Sequence, residues 1–557
     1  MRIKIEDIKN ELVQEPYLSG VKVYKDKSIN GEEYPFLIKC DIEILQKYYP
    51  LKIGIPEMWA QELIDVYVDT ENVLYMPHID SENKVCLFDL EGVLIERDFA
   101  GVLKQCLERT REILGAGISG KNWQDFLMEF DAYIRCLPGV KICQGIIPDD
   151  KKTRKIYYCA LNKPDRTHRK GEDFAKYLKR IEVQGYFASC THEDFETWQY
   201  RNTKQRGMYV SIKPTENIYP PRYDKKFGLE EANNILSYIV PDKDVKRFFT
   251  KNQQEKFLLL GIEQPEGTFN AFGLLIKDGK FEVNSGITCI DAKKITPLVI
   301  ERLDEKNLLS RTSCTSNSLA EKKYLLIGCG SIGGHIFFDL IKSGCKNIDL
   351  VDPDIFGPEN IYRHLLGKEF LGKYKVEALK LFGHNNIPNL EVTPIANTIQ
   401  DAFEDNNIDF EKYDYIVAAT GNENLNRWIN DYVFEHDIKV PVFYIWNEPL
   451  DIGSHVALIR KERAGCYECF FRRNKLGGLS NVFSYCQPGQ DFIETMSGCG
   501  GSYIPYGSLL SVQSSLLFME LLKKDSEGRI KENMIVSEKG DDFHFLQAGF
   551  KFSERYI

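Results

Sequence analysis

No stretch of the chain approaches the ~18 consecutive apolar residues that a membrane helix needs. The opening residues, Met1–Asn10, are charged and lack the apolar centre of a secretory signal. The sequence therefore predicts a cytoplasmic protein with no membrane partner. Basic excess is missing too: 72 Lys and Arg stand against 82 Asp and Glu, a net charge of −10. Nucleic-acid binders ordinarily show the opposite balance, so no nucleic-acid partner is expected, and a local basic pocket stays compatible with this charge. Internal repeats and low-complexity tracts are absent, as is a metal-protease HxH motif. The 15 cysteines form no disulfide framework, and in a reducing compartment most read as buried thiols. Cys136, Cys143, Cys159 and Cys190 lack paired CxxC spacing, and no catalytic signature surrounds them.

What is present is organisation. At roughly 150 residues per domain, 557 residues predict three or four domains. Two small-residue stretches, Gly115–Lys121 and Ser310–Ala320, read as linkers and set domains at 1–120, 121–309 and 310–557. The first holds strand-like runs at Val21–Tyr24, Phe36–Ile44 and Lys52–Ile55, then a helix-like segment, Phe99–Leu114. It reads as α+β. The middle domain has apolar runs such as Lys256–Leu260 and Ala271–Ile276, strands among helices, and reads as α/β with no assigned role. The third alternates strand and helix signals, as a doubly wound, Rossmann-like α/β domain does.

Within the third domain a buried-strand run, Tyr324–Ile327, leads into Gly328-Cys329-Gly330-Ser331-Ile332-Gly333. A helix to Lys342 and a strand at Asn347–Val351 follow. In this context Gly328 permits the tight turn, Gly330 lets phosphate approach the backbone, and Gly333 lets helix and strand pack closely. The helix N-terminus offers free N–H groups to an anion. Asp352 stands nineteen residues after Gly333, where a ribose-binding acid belongs. The loop itself serves NAD and ATP equally. Downstream lie Asn360, Arg363 and Lys375. A dehydrogenase needs neither cation there, whereas cleavage at a triphosphate's α-phosphate spreads negative charge that cations must meet.

From Tyr324 to Leu522 the chain resembles the ubiquitin-activating superfamily, which includes the bacterial ThiF and MoeB adenylyltransferases. The likeness rests on the glycine loop, Asp352, Asn360-Ile361-Tyr362-Arg363, Gly372-Lys373-Tyr374-Lys375, Asp414–Thr420, Arg427, Asn430 and Val440-Pro441-Val442. It implies ATP and Mg²⁺ as cofactors, Asp352 on the ribose, and Asn360, Arg363 and Lys375 on the phosphates. The family's Thr-Asp-Asn is Thr420-Gly421-Asn422 here. Asp354, Asn422 and Glu423 are the candidates to replace the missing magnesium carboxylate, unless phosphate and water hold the ion. Cys466 and Cys469 match the first half of the zinc tetrad seen in relatives such as MoeB. No cysteine follows Cys499, so the tetrad closes only through Cys486 and Cys499 at unusual spacing, and no metal site is expected. Cys499 lies among glycines (Ser497-Gly498-Cys499-Gly500-Gly501) before a helix at about Leu509–Leu522. In the family this crossover loop carries the cysteine that attacks the acyl-adenylate; Cys486 is the second choice.

The first domain, over roughly Pro16–Leu114, resembles the ubiquitin-conjugating fold. That family's signature is His-Pro-Asn with the nucleophile eight residues after the Asn. Here Met76-Pro77-His78 is followed by Cys86, so His78 falls on the Asn position and Met76 replaces the His. The resemblance implies Cys86 as a catalytic thiol and His78 as a hydrogen-bond donor to the oxyanion. The domain order is similar to the conjugating–activating fusions of bacterial anti-phage signalling, the CBASS ATP-dependent ubiquitin transferase-like proteins. It implies a cGAS-like nucleotidyltransferase C-terminus as substrate, a thioester relay from Cys499 to Cys86, an unidentified acceptor protein and a homodimer. A sulfur-carrier adenylyltransferase would not need Cys86, and a non-catalytic ATP-sensing protein would tolerate Gly421.

Overall fold

The computed structural model describes residues 8, 11–12, 15–70, 74–88, 95, 98–148, 150–162, 183–191, 195, 204–310, 317–388, 390–474, 477–495 and 502–557. It divides into two compact units, one drawn from Met1–His192 and Tyr200–Asp304, the other from Glu305–Ile557.

In the first unit, Leu18–Ile29, Glu32–Ile44, Lys47–Ile55 and Asp65–Val68 form an antiparallel four-stranded meander. Ile38, Cys40, Ile42 and Ile44 are buried at every second position of their strand, the period-two pattern of a half-covered sheet. Their cover is the helix Phe99–Ile118, which buries Val102, Leu103, Cys106, Leu107, Ile113 and Leu114 and is capped by the Asp98 carboxylate on the Gly101 N–H. Gly115–Ile118, expected as the start of a linker, continue this helix. A Cβ at Gly117 would stand 2.6 Å from the Met76 sulfur. The glycine makes room for the buried side chain of Met76.

The rest of this unit is built on a closed barrel. Its seven strands run in the order Phe269–Lys277, Lys294–Arg302, Lys141–Gly145, Val183–Ser189, Arg154–Asn162, Gln205–Ile212 and Glu255–Glu263. Tyr158, Tyr209, Phe257 and Leu298 share one buried cluster. Leu258, Leu260, Phe272 and Leu274 fall in another, with side chains of the helices Leu229–Leu236 and Lys243–Thr250 and of the short helices Asp125–Met128 and Phe130–Arg135. Burial on both faces is why Lys256–Leu260 reads as a continuous apolar run rather than an alternating one.

The second unit is a mixed α/β domain. Its sheet has the order Glu391–Ile395, Asn347–Val351, Lys323–Ile327, Tyr415–Ala418, Val442–Asn447, Gly453–Ile459, Met534–Lys539. The first five strands are parallel and the last two pair antiparallel. Strand order reverses at Lys323–Ile327, so a ligand crevice forms beyond its carboxyl end. Among the described residues no helix is long and apolar enough to cross a membrane.

Candidate nucleotide site and transfer cysteines

The loop after Lys323–Ile327 is set by contacts that only glycine permits. Gly328 has φ +90° and a Cβ there would lie 2.5 Å from the Ala419 carbonyl oxygen; one on Gly333 would lie 2.0 Å from that of Gly328. At Gly330, which precedes the helix Ser331–Lys342, a Cβ would meet nothing within 4 Å. That open space above a helix N-terminus fits a phosphate. Gly333→Ala should force the loop apart at a cost of about 1–3 kcal/mol. Calorimetry should then find ATP binding lost and the melting temperature lowered; unchanged ATP affinity would show that the loop is not the phosphate cradle.

Asp352 is buried, and both carboxylate oxygens are held by the backbone. Oδ2 accepts from the Cys329 N–H at 2.6 Å and Oδ1 from the Asp354 N–H at 2.8 Å. Burial pushes its carboxyl above the usual range, while Lys375 and the two N–H groups oppose this. Asp352 lines a cavity of about 560 Å³ together with Gly328, Asp354, Thr398, Asn422 and Trp428. Asn360, Arg363 and Lys375 line a different cavity of about 800 Å³, with Asp354, Asp451 and Tyr506. Asp354 borders both, and its Oδ2 accepts from Lys375 Nζ at 2.7 Å. Gly330 and Gly333 support the loop from outside these two linings.

The segment that carries Arg363 is tied to the glycine loop. Ser331 Oγ donates to the Arg363 carbonyl at 2.5 Å. His364 donates from Nε2 to the Cys329 carbonyl at 2.8 Å and accepts at Nδ1 from the Leu366 N–H at 3.1 Å. Burial holds this imidazole neutral, its pKa pushed down to about 4. Sequence reasoning passed over His364 because the loop contact crosses 35 residues. Two other expected residues carry structural work. Asn360 Oδ1 accepts from the Gly357 N–H at 2.9 Å, and Asn422 Oδ1 caps the helix Glu423–Glu435 by accepting from the Asn424 and Leu425 N–H groups. Arg427 pairs bidentately with Glu468, at 2.6 and 2.8 Å, and Asn430 accepts from the Tyr467 N–H.

Cys466 and Cys469 bring their sulfurs to 3.4 Å. Among the described residues no three His, Cys, Asp or Glu side chains are grouped to hold a metal ion. Cys486 is buried and its thiol lies 3.3 Å from Glu448 Oε2. Burial first, and then that carboxylate, push the Cys486 thiol well above its ordinary value, which weakens it as a nucleophile. Buried Glu448 also pairs with His455 at 3.0 Å. Cys499 lies outside the described residues; the strands bordering it, Glu494–Thr495 and Ser502–Tyr503, pair antiparallel.

Cys86 is exposed at the end of a tight loop. Its N–H donates to the His78 carbonyl at 2.8 Å, and Asp80 Oδ1 accepts from the Glu82 and Lys84 N–H groups. The protein packed around the sulfur, with the negative charges of Asp80 and Glu129, pushes the thiol up to about 11. His78 has φ +63°, and both its ring nitrogens face carboxylates: Nε2 is 3.0 Å from Asp125 Oδ2 and Nδ1 is 3.2 Å from Glu129 Oε1. The ring donor expected to serve an oxyanion is thus already engaged.

The ThiF family model matches residues 307–530, and the model of prokaryotic E2 family B matches residues 35–139. The chain is 24% identical over 461 residues to the ATP-dependent ubiquitin transferase-like protein Cap2 of Pseudomonas aeruginosa, covering 80% of this chain and 79% of that protein. It is 26% identical to Cap2 of Vibrio cholerae over 55% of this chain and 50% of that one. Among solved structures, MccB of E. coli with ATP is similar at 20% identity and a TM-score of 0.30, over 42% of this chain and 70% of that chain.

Proposed function

We propose that this chain, a homologue of the ATP-dependent ubiquitin transferase-like proteins that joins a prokaryotic E2 family B domain to a ThiF domain, activates a carboxylate with ATP and relays it through two cysteines. The observation that carries this reading is the convergence of Arg363 and Lys375 on one cavity, with Asp354 shared by the adjoining cavity under the glycine loop. A partner protein's C-terminal carboxylate attacks the ATP α-phosphate and pyrophosphate leaves. Asp352 takes the ribose, and Arg363 and Lys375 meet the phosphate charge. Cys499 attacks the acyl-adenylate, releasing AMP and forming a thioester. Cys86 takes the acyl group by transthiolation, and a target lysine amine completes an amide.

Asp354 is the best fit to Mg²⁺ among the three candidates. Asn422 Oδ1 is spent on its helix cap, and burial draws Glu423 toward its neutral form. The partner inferred is a cGAS-like nucleotidyltransferase of an anti-phage system, a reading that rests on this chain's own order of an E2-like domain before a ThiF domain. The domains are taken to divide at about residues 120 and 309, with no station assigned to the middle one, and tethering of the outer two raises the effective concentration of their stations; a homodimer is the expected assembly.

Intact-mass analysis tests the reading. The protein, ATP, Mg²⁺ and the candidate partner should give an adduct of the two chains less one water, sensitive to reductant. ATP turnover without any adduct would leave only an adenylyltransferase. No pyrophosphate exchange with any carboxylate partner would remove the activating function.

A further inference from the structure

The loop that carries Cys86 is gripped through His78 by the segment Asp125–Arg135, which holds the short helices Asp125–Met128 and Phe130–Arg135. Its imidazole, half-buried, faces Asp125 at Nε2 and Glu129 at Nδ1. Two carboxylate acceptors, one at each nitrogen, can both be satisfied only if both nitrogens carry hydrogen. The main chain is held as well. The His78 N–H donates to the Tyr133 hydroxyl at 2.7 Å, and that hydroxyl donates to Glu129 Oε2 at 2.8 Å. Glu129 therefore receives the imidazole directly and the backbone through Tyr133. Tyr223 stacks on Tyr133 and donates to the Ile79 carbonyl at 2.8 Å, a second hold on the same loop. The remaining backbone group of His78, its carbonyl, accepts the Cys86 N–H.

We infer that His78 is a positioning residue for the thiol of Cys86: its doubly bonded imidazole, clamped by Asp125 and Glu129, fixes the carbonyl that orients the Cys86 backbone. Only the description of Cys86 as a transfer thiol rests on the proposed function; the clamp is a property of the loop.

The clamp depends on pH. The Glu129 hydrogen bond first, with Asp125 adding to it, raises the His78 pKa above its ordinary value against the opposing effect of burial. The group's folded value is raised, so its grip is complete below the unfolded value and is lost as pH rises through the folded one. A neutral ring donates to one carboxylate and turns a lone pair toward the other. Glu129 is lowered, first by its His78 bond, so it stays charged throughout that range. The titratable groups on the imidazole are thus Asp125 and Glu129; Tyr133 meets the His78 backbone N–H, and Asp80, Lys84 and Cys86 lie on its own loop.

The test uses the full chain with histidine labelled at Cε1. NMR should show one resonance, missing in His78→Asn, that titrates above 6.5, and it should move down in Asp125→Asn and Glu129→Gln. In parallel, alkylation of Cys86 by iodoacetamide, mapped by mass and divided by thiolate fraction, should change on the order of tenfold across the same pH range. That step should vanish in His78→Asn and persist in Asp125→Glu. Asp125 is partly exposed, so its variants should fold normally. A His78 resonance titrating at or below 6.5, or the same alkylation step in His78→Asn, would overturn the inference. Neither measurement uses ATP, so failure of the relay and failure of the clamp are read separately.

Discussion

Arg363→Ala should lower ATP-dependent pyrophosphate exchange by about tenfold to a hundredfold, the loss of one charge-assisted contact worth roughly 1.5–3 kcal/mol, and leave the fold intact. Among the described residues no carboxylate pairs with the Arg363 guanidinium. It lies 5.6 Å over the Tyr506 ring and lines two cavities, of about 610 and 800 Å³. Its backbone is pinned by Ser331 Oγ and by the Asn360 carbonyl. A cation held in place without an internal counter-charge is poised for an external anion. Lys375 differs, because it already pairs with Asp354; its removal also frees that carboxylate to repel phosphate. Arg363→Lys should recover part of the rate, since a point charge replaces a fork of donors. Asp352→Ala should be at least as damaging, because it also releases two backbone N–H groups, and its melting temperature must be compared alongside. Exchange at the wild-type rate in Arg363→Ala would sink the phosphate assignment.

Cys86→Ala should abolish amide product and leave the acyl group on Cys499 as a reductant-sensitive adduct. Cys499→Ala should still exchange pyrophosphate, because the adenylate precedes the thioester, and should load neither cysteine. The two variants therefore stop the relay at different stations, and intact mass after a single turnover distinguishes them. The pH dependence adds a sign. The Cys86 thiol sits at about 11, so its thiolate is scarce at neutral pH and grows about tenfold per pH unit below that value. Transfer from Cys499 to Cys86 should rise with pH accordingly, whereas adenylation should not. Conjugation at the wild-type rate by Cys86→Ala would remove the N-terminal domain from the chemistry.

Legibility in the sequence tracked the range of the contacts. The strand–glycine loop–helix–strand from Lys323 to Val351 was readable because its glycine spacing and element order lie within thirty residues, whereas the approach of Gly328 to Ala419 crosses ninety-one and was not. Gly117 reads as part of a linker but lies in the helix Phe99–Ile118, since a glycine that admits a distant methionine looks in sequence like one that frees a linker. Closure of the middle strands into a barrel left no signature, because strands covered on both faces lose their alternation. His78 was legible as a place in a motif, but its partners stand 47 and 51 positions away and nothing local marks them. Asn360 and Asn422 were read as ligands, and their local capping bonds were not weighed against that role.

Barrel closure also has a consequence for synthesis. Lys141–Gly145 pairs in parallel with Val183–Ser189 on one side and Lys294–Arg302 on the other. The second partner emerges from the ribosome about 150 residues later, a wait of roughly 10–30 seconds at ordinary elongation rates. Throughout that interval the nascent chain presents an unpaired hydrogen-bonding edge, the kind of surface on which neighbouring chains mispair. A slower or stalled translation between residues 145 and 294 should therefore reduce soluble yield more than an equal delay within the C-terminal domain, where neighbouring strands lie closer in sequence.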